Sequence, residues 1–570
     1  MTEPTRRVEC FLLQPFDAPT QQQMKYLVSR RAWGGDYLDP NTFLNMYITG
    51  GDNNSTGFSN AEYDRLIAAA GAMAVMGPNC YGFINALDQA SPWPDEHGVG
   101  PCQRGVAIVT QSGNMAVNFA MMRRAVPVAG LYTLGNQAGV EIAALFDLLV
   151  DDPRVSAIGL HIEGLRDVQA FAAAAAKAMQ ARKPVVVLKT GRSEQGAKVT
   201  MSHTNSLAGT DDLYDALFGR YGIARVASVS GFAETLKLLH HGGPLTGNRL
   251  VSMSCSGGFD ASMLVLDIPT RPPMNPRSWV VTADAYARAA AATGARAVTV
   301  STLHESMPDD VAERLSAAGV APLLGIDDAL TALEAAAFIG AAFARRLPAP
   351  PLRPDVPAGT PARLLSEHAA KQRLAAYGLA VPQGILCAPE DAATAARRIG
   401  FPVVLKASGA LAHKTEAGGV ALDLKSEAEV AAAARRMAAL GDEVLVEQMV
   451  SDAVCELIVG IKTDAQFGLA LVVGAGGVLT ELWRESVTLL LPVDRADISS
   501  ALSRLRVSGL IDGFRGRGGD RAAAISAIEA VARFAADHAA TLEELDVNPL
   551  LVLASAKGAV AADALIRLRD

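Results

Sequence analysis

Cysteine and histidine are sparse and dispersed in this chain. The six cysteines (Cys10, Cys80, Cys102, Cys255, Cys387 and Cys455) and nine histidines include no C-x-x-C pair, so neither a zinc site nor a disulfide framework is expected. Aromatic residues make up only 5% of the sequence, so the cores must be aliphatic. Positive charge is not in excess. A net charge of −8 leaves no basic face, and nucleic acid is not expected as a partner. No run approaches about 18 uninterrupted apolar residues, and no basic segment leads into a long apolar one at the N-terminus, so no membrane association is expected and a cytoplasmic location is.

What is present is hydrophobic. Half the residues are apolar, and alanine-rich helical stretches alternate with Val/Ile/Leu runs, which predicts an α/β class. A chain of 570 residues is expected to hold about three or four domains. Residues 1–69 differ from the rest, being polar, aromatic and rich in Asn and Gly. Trp33-Gly34-Gly35-Asp36-Tyr37, Gly50-Gly51-Asp52-Asn53-Asn54 and Asn60-Ala61-Glu62-Tyr63-Asp64 resemble a short piece of the oligopeptide-binding proteins of ABC transporters. That piece holds too little core to fold alone and reads as an appended segment.

From Gly71 the pattern changes. Gly105–Val109, Ala157–Ile162 and Pro184–Lys189 read as buried strands, with helices expected from Asn114 to about Arg124 and from Val168 to about Gln180. Strand and helix in alternation predict a parallel sheet, with loops gathered at the carboxyl ends of its strands. A second such unit spans about 247–346 and looks short of parts, because Leu250–Ser254 and Phe259–Ile268 both read as strands. A parallel connection ordinarily takes a dozen residues or more. The proline tract Leu347–Pro354 predicts a stiff, extended linker over 347–360, and residues 361–570 form the last domain.

Several residues in this frame have phosphate chemistry. His203 lies in Met201-Ser202-His203-Thr204-Asn205, a polar loop where a neutral imidazole is nucleophilic. Ser112-Gly113 opens a helix, whose amino end is a ready phosphate site or simply an ordinary cap. Glu163 ends a strand and either fixes a histidine tautomer or caps the next helix. Lys406 ends another strand, where it offers a cation to phosphates. Lys414, Gly418 and Gly419 lie in the loop Ala412-His413-Lys414-Thr415-Glu416-Ala417-Gly418-Gly419-Val420, whose glycines permit close backbone approach. Asn548 and Asp563, near the ends of successive β segments, are oxygen donors suited to a shared Mg²⁺.

The order strand Lys, His-Lys-Thr-x-x-Gly-Gly-Val, strand Glu (Glu447) and Glu544-Leu545-Asp546-Val547-Asn548-Pro549-Leu550 resembles the ATP-grasp domain of NDP-forming acyl-CoA synthetases. These relatives of succinyl-CoA synthetase include the ADP-forming acetate–CoA ligases. Gly77-Pro78-Asn79-Cys80-Tyr81-Gly82 is similar to the end of that family's CoA-binding domain. Thr110-Gln111-Ser112-Gly113, Gly135-Asn136-Gln137-Ala138, Glu163-Gly164 and Ser202-His203-Thr204 are similar to its ligase domain, in order.

The resemblance implies parallel-sheet, succinyl-CoA-synthetase-like ligase domains followed by an ATP-grasp domain. The expected limits are a CoA-domain remnant at 70–104, a ligase domain at 105–246, a shortened second ligase-type domain at 247–346 and an ATP-grasp domain at 361–570. It implies ATP/ADP, Mg²⁺ and CoA, a small carboxylic acid as substrate, and assembly into a homo-oligomer. It makes His203 the phosphorylated histidine, Glu163 its partner, and Ser112 and Gly113 phosphate ligands. His413 is then either a second phosphorylated histidine or a hydrogen-bond donor to nucleotide. Lys406, Lys414, Gly418, Gly419 and Glu447 would bind ATP, with Glu447 near the adenine and Glu367 near the domain start, and Asn548 and Asp563 would hold the metal. Residues 1–69 do not resemble the family's CoA-binding domain, so phosphoryl transfer is expected intact and thioester formation impaired. An ATP-grasp carboxylate–amine ligase, or a non-catalytic nucleotide- or peptide-binding protein, remains open at this point.

Overall fold

The computed structural model describes residues 76–77, 80–137, 139–191, 211–252, 260–270, 274–354, 360–408, 419–477, 485–516 and 518–569. Residues 1–69, His203, His413, Lys414 and Gly418 lie outside the described residues. The chain divides into two compact units. Unit one comprises residues up to 208 and 222–347, and unit two comprises 209–221 and 348–570.

In unit one, β1 (Phe83–Asn85), β2 (Gly105–Thr110), β3 (Val128–Thr133), β4 (Val155–Ile162), β5 (Val185–Lys189) and β6 (Ala224–Val226) form one sheet in the order β1-β3-β2-β4-β5-β6. The edge strand β1 is antiparallel to β3, and the other pairings are parallel. Every residue of β2, β4 and β5 is buried. Their uninterrupted apolar runs therefore fit a sheet covered on both faces.

Helices α1 (Gly113–Ala120), α2 (Ile142–Asp151) and α3 (Val168–Gln180) supply the crossovers. The α1 stretch expected to reach Arg124 stops at Ala120. Between β5 and β6 the chain contributes α4 (Asp211–Tyr221), a helix that belongs to unit two. Ser228 then caps α5 (Val229–His241), accepting from Gly231 N, and α5 crosses β4 very closely. A Cβ on Gly159 would lie 2.5 Å from Phe232 Cζ and 2.6 Å from Leu236 Cδ1.

The second sheet of unit one contains β7 (Leu250–Ser252), β8 (Ala261–Val265), β9 (Ala297–Ser301) and β10 (Ala321–Leu324), all parallel, in the order β10-β9-β8-β7. Only residues 253–260 lie between β7 and its parallel neighbour β8. Helices α6 (Arg277–Thr293), α7 (Asp309–Ala317) and α8 (Ile326–Phe343) complete this layer. One core takes Phe232 and Leu236 from α5, Val298 and Leu323 from the second sheet, and Ala332 and Ile339 from α8. Within it, buried Glu234 accepts from Arg124 at 2.9 Å and from Leu324 N at 3.0 Å, and pairs with buried Lys237 at 2.7 Å.

Unit two is built from antiparallel sheets. Its strands are β11 (Ala362–Leu364), β12 (Gly384–Cys387), β13 (Val403–Ser408), β14 (Val420–Leu424), β15 (Glu443–Gln448), β16 (Cys455–Asp464), β17 (Gly468–Ala475), β18 (Ser486–Leu490), β19 (Leu542–Val552), β20 (Ala559–Ala561) and β21 (Ala564–Arg569). The smaller sheet runs β12-β15-β13-β14, and the larger runs β11-β21-β19-β16-β17-β18, with β20 added to β19. Helices α9 (Glu367–Ala375), α10 (Ala392–Ile399), α11 (Glu427–Met437), α12 (Arg495–Arg504), α13 (Ser508–Ile511) and α14 (Arg521–Asp537) bury one side of these sheets.

The proline tract is not a free spacer along its whole length. Leu352 N donates to Leu491 O at 2.9 Å, and Leu352 O accepts from Leu469 N at 2.8 Å, which ties the tract to the larger sheet. Among the described residues, no helix is long and apolar enough to cross a membrane.

Gly159 gives this packing a test. Glycine-to-alanine at an unobstructed strand position stabilises by removing backbone entropy from the unfolded chain. Here the added methyl meets Phe232 and Leu236, so Gly159→Ala should instead cost about 1–3 kcal/mol, read as a lower urea midpoint for unit one.

Candidate active site

In unit one the chain makes β2 first, then β3 on one side and β4 on the other, so the winding reverses between β2 and β4. A crevice outside the carboxyl ends of these strands is where an open α/β sheet binds ligands. Ser112, Gly113 and Glu163, all expected site residues, flank that position.

Ser112 is the N-cap of α1, its Oγ accepting from Met115 N at 3.4 Å. Gly113 lies against the Tyr81 ring, whose Cδ2 would be 2.7 Å from an added Cβ. The turn at Glu163 is held by a residue whose own role was not anticipated. Buried Gln111 donates from Nε2 to Gly164 O at 2.6 Å, and its Oε1 accepts from Gly164 N at 3.1 Å and from Glu163 N. Lys189, at the end of β5, donates to Glu163 O at 2.8 Å and to Thr190 O.

Behind this turn, His161 Nδ1 is 2.8 Å from Thr110 Oγ1. Burial and the charge of Lys189 hold the His161 imidazole down to about 4, so it stays neutral at physiological pH. The crevice floor is thus a hydrogen-bonded lattice that fixes the Glu163-Gly164 backbone.

In unit two, β13 carries Lys406 opposite Leu445 of β15, and Glu447 lies opposite Val404 in the same pairing. Ser366 caps α9, which places Glu367 in its first turn and Lys371 one turn further on. These four side chains converge. Lys406 Nζ donates to Glu367 Oε1 at 2.5 Å and to Ala562 O at 2.7 Å, and lies 3.2 Å from Glu447 Oε2. Lys371 Nζ lies 2.7 Å from Glu367 Oε1 and 2.8 Å from each Glu447 oxygen.

Burial would raise the Glu367 carboxyl, but the Lys406 and Lys371 ammoniums hold it at about 2. Burial likewise works against the Lys406 charge, and Glu367, Glu447 and Asp563 keep its pKa above the ordinary lysine range. Glu447 therefore belongs to an ion cluster beside the strand lysine, a setting that its expected place near adenine did not include. Lys371 was not anticipated at all. Its signal was the Glu-x-x-x-Lys spacing on one helical face.

Asp563 lies between β20 and β21. Asn548 is inside β19 rather than at a segment end, and shares a strand face with Asp546 two residues before it. Asp546 was quoted in the motif without a role, yet its carboxyl is strongly perturbed. Burial, Glu544 and Asp563 push it up to about 6, while the Asn548 amide and Lys462 oppose the rise.

The patch provides hard oxygen donors beside a phosphate-type cation, a chemistry that fits Mg²⁺. That ion takes one or two protein oxygens and completes its shell with water and phosphate. Asn548 and Asp563 would hold it. Among the described residues, no cluster of three or more His, Cys, Asp or Glu is disposed to bind a metal without such help.

Helix α4 completes unit two. Thr488 Oγ1 donates to Asp212 Oδ2 at 2.7 Å, and the buried Tyr214 ring meets Phe467 edge-on at 5.1 Å. Arg220 donates to the carbonyls of Leu490 (2.8 Å), Pro492 (2.9 Å) and Ala349 (2.6 Å).

Two family profiles match the chain. One is described as an ATP-grasp domain and matches residues 358–568, and the other as a succinyl-CoA ligase like flavodoxin domain, matching residues 103–239. The ADP-forming 4-hydroxybutyrate–CoA ligase of Nitrosopumilus maritimus is 27% identical over 581 residues, covering 87% of this chain and 82% of that protein. The ADP-forming acetate–CoA ligase I of Archaeoglobus fulgidus is 27% identical over 570 residues, covering 86% and 81%. The subunit beta of the ADP-forming acetate–CoA ligase II of Pyrococcus furiosus is 32% identical over 215 residues, covering 36% of this chain and 91% of that subunit.

The Asp546 environment predicts a pH signature. A carboxyl raised on folding binds its proton more tightly in the native state, so stability falls as pH rises from the usual carboxylate range through about 6. In Mg²⁺-free buffer, Asp546→Asn should raise the melting temperature at mildly alkaline pH, and the gain should vanish as pH drops below the unfolded carboxylate pKa.

Proposed function

The chain belongs to the NDP-forming acyl-CoA synthetases, the family of the ADP-forming acid–CoA ligases, and from this we propose that it interconverts acyl-CoA, ADP and phosphate with a carboxylic acid, CoA and ATP through a phosphohistidine at His203. The observation that carries this reading is the Gln111 lattice, which fixes the Glu163-Gly164 turn at the carboxyl end of β4. In sequence, His203 falls between β5 of unit one and α4 of unit two. A carboxylate–amine ligase would need the Lys406 cluster but give His203, Glu163 and the Gln111 lattice no role.

Three steps follow. Phosphate oxygen attacks the thioester carbonyl carbon, the C–S bond breaks, and CoA leaves as the thiol with a proton. The resulting acyl phosphate loses its phosphoryl group to an imidazole nitrogen of His203, the P–O bond to the acyl oxygen breaks, and the carboxylate departs. A terminal oxygen of the ADP β-phosphate then attacks phosphorus, the P–N bond breaks, and ATP forms with neutral His203 restored. In the synthetic direction the same steps run backwards.

Imidazole suits this work because it is neutral and nucleophilic near physiological pH, and its N–P bond is energetic enough to pass the group on. Glu163, its turn fixed by Gln111 and Lys189, is suited to accept the other ring N–H. Ser112, Gly113 and the amino end of α1 are suited to oxyanions.

At the nucleotide end, Lys406 with Lys414, Gly418 and Gly419 would meet the phosphates, and Glu447 would keep Lys406 charged. Mg²⁺, when bound by Asn548 and Asp563, supplies charge neutralisation at those phosphates. His413 fits either of two roles, a second phosphoryl carrier or a donor to the nucleotide. A small carboxylic acid as substrate, a homo-oligomeric assembly and a cytoplasmic setting complete the reading.

Incubation with Mg²⁺ and γ-labelled ATP should give a phosphoprotein stable to base and labile to acid, absent in His203→Ala. Label retained in that variant would overturn the assignment, and its disappearance in His413→Ala alone would move the carrier there. Thioester formation from acid, CoA and Mg-ATP is measured alongside, because it tests the CoA half separately.

A further inference from the structure

The cluster around Lys406 contains one more group than phosphate binding needs. Lys371 is 2% exposed and touches only the carboxylates of Glu367 and Glu447 among the contacts in this cluster. Lys406 shares both of those carboxylates. Among the described residues, two buried ammoniums face these two buried carboxylates, and the charge of Asp563 also acts on Lys406. If Lys406 turns towards a phosphate, its charge leaves this balance. Were Lys371 absent, the carboxylates would lose the lysine cation they share and oppose the move strongly, since removing one partner of a buried ion pair strands the other.

Lys371 is already placed to prevent that. Its ammonium spans both carboxylates, with one Glu367 oxygen at 2.7 Å and both Glu447 oxygens at 2.8 Å. It lies on α9, whereas Lys406 lies on β13, so it need not follow when Lys406 reorients.

We propose that Lys371 is a positioning residue, a fixed counter-charge that holds Glu367 and Glu447 so that Lys406 is released to nucleotide phosphate. The proposal rests on the reading of Lys406 as a phosphate ligand. With Lys371 present, the carboxylates keep one cation in both states of the site. Without it, they retain Lys406 and compete with the nucleotide for its charge. The sign is specific to this role: deleting the Lys371 cation weakens nucleotide binding although the side chain never touches nucleotide, and deleting a carboxylate charge relieves the defect.

The test is calorimetric titration of the full-length protein with Mg-ATP. Lys371→Met should raise Kd at least about tenfold, equivalent to one pK unit of differential charge interaction. Lys371→Met combined with Glu367→Gln restores a one-to-one balance and should bring Kd back to within about threefold of wild type, again on that scale. Glu367→Gln alone should leave Kd unchanged or lower it.

A wild-type Kd in Lys371→Met overturns the proposal, as does a weakened Kd that the double variant does not recover. If Lys371→Met fails to fold, the sign of the Glu367→Gln shift decides: tighter or unchanged binding supports the counter-charge role, and weaker binding overturns it. Lys406→Met separates the two layers of the argument. Undiminished Mg-ATP binding in that variant removes the reading of Lys406 itself, whereas its loss beside an unaffected Lys371→Met removes only the role given to Lys371.

Discussion

Two buried ammoniums and two buried carboxylates hold the nucleotide unit in register with itself. Lys406 and Glu447 come from adjacent strands of the smaller sheet, and Glu367 and Lys371 come from a helix whose apolar face packs into the core of the larger one. Taking four charges out of water is costly, and well-packed apolar residues would often be as stable or more so. What such a cluster provides is directionality. An aliphatic contact between the two sheets would tolerate sliding, whereas distances of 2.5–2.8 Å between charged groups do not.

Unit one solves the same problem of precise placement with a single buried lysine and an amide rather than a cluster of ion pairs. The parallel sheet brings the carboxyl ends of β2, β4 and β5 side by side, and an uncharged amide does the positioning. Gln111 uses both ends of its side chain on the Glu163-Gly164 backbone, and Lys189 adds a further donor from the neighbouring strand. The turn at Glu163 is thus fixed through its backbone atoms. The charged trio of unit one, Arg124, Glu234 and Lys237, lies elsewhere, in the core shared by its two sheets.

Much of this arrangement was legible in the residues, and the limits of legibility have a physical origin. Continuous apolar runs such as Val185–Lys189 can be little other than strands buried on both faces, so the parallel sheet and the strand-end position of Glu163 followed directly, whereas Lys406, expected at the end of its strand, lies inside β13, which runs on to Ser408. In the second unit β16 alternates buried and half-buried positions, but β13 and β15 of the smaller antiparallel sheet are buried almost throughout and have no period-2 signature. Their identity rested on family resemblance.

Gln111 and Asp546 were passed over because Gln111 acts on a turn 52 positions away and Asp546 through an electrostatic environment assembled from separate segments, neither of which spacing along the chain encodes. The spacing of Lys371 from Glu367 was legible, but its second partner, Glu447, is 76 positions away. Asn548, followed by Pro549, was expected near the end of a β segment. The strand continues past that proline to Val552, with ladder pairs on either side.

Helix α4 has a consequence for the gene rather than for the site. A reading frame cut at the proline tract looks like a clean division into two modules, yet the nucleotide-handling module includes residues 209–221, encoded well upstream of that tract. A fragment starting near Pro348 would lack the ring that meets Phe467, the carboxylate that receives Thr488, and the guanidinium that gathers the carbonyls of Ala349, Leu490 and Pro492. Modularity in three dimensions and contiguity in the linear message are therefore different properties here. An insertion, fusion or splitting event that respected only the second would leave an aromatic face of the nucleotide module uncovered.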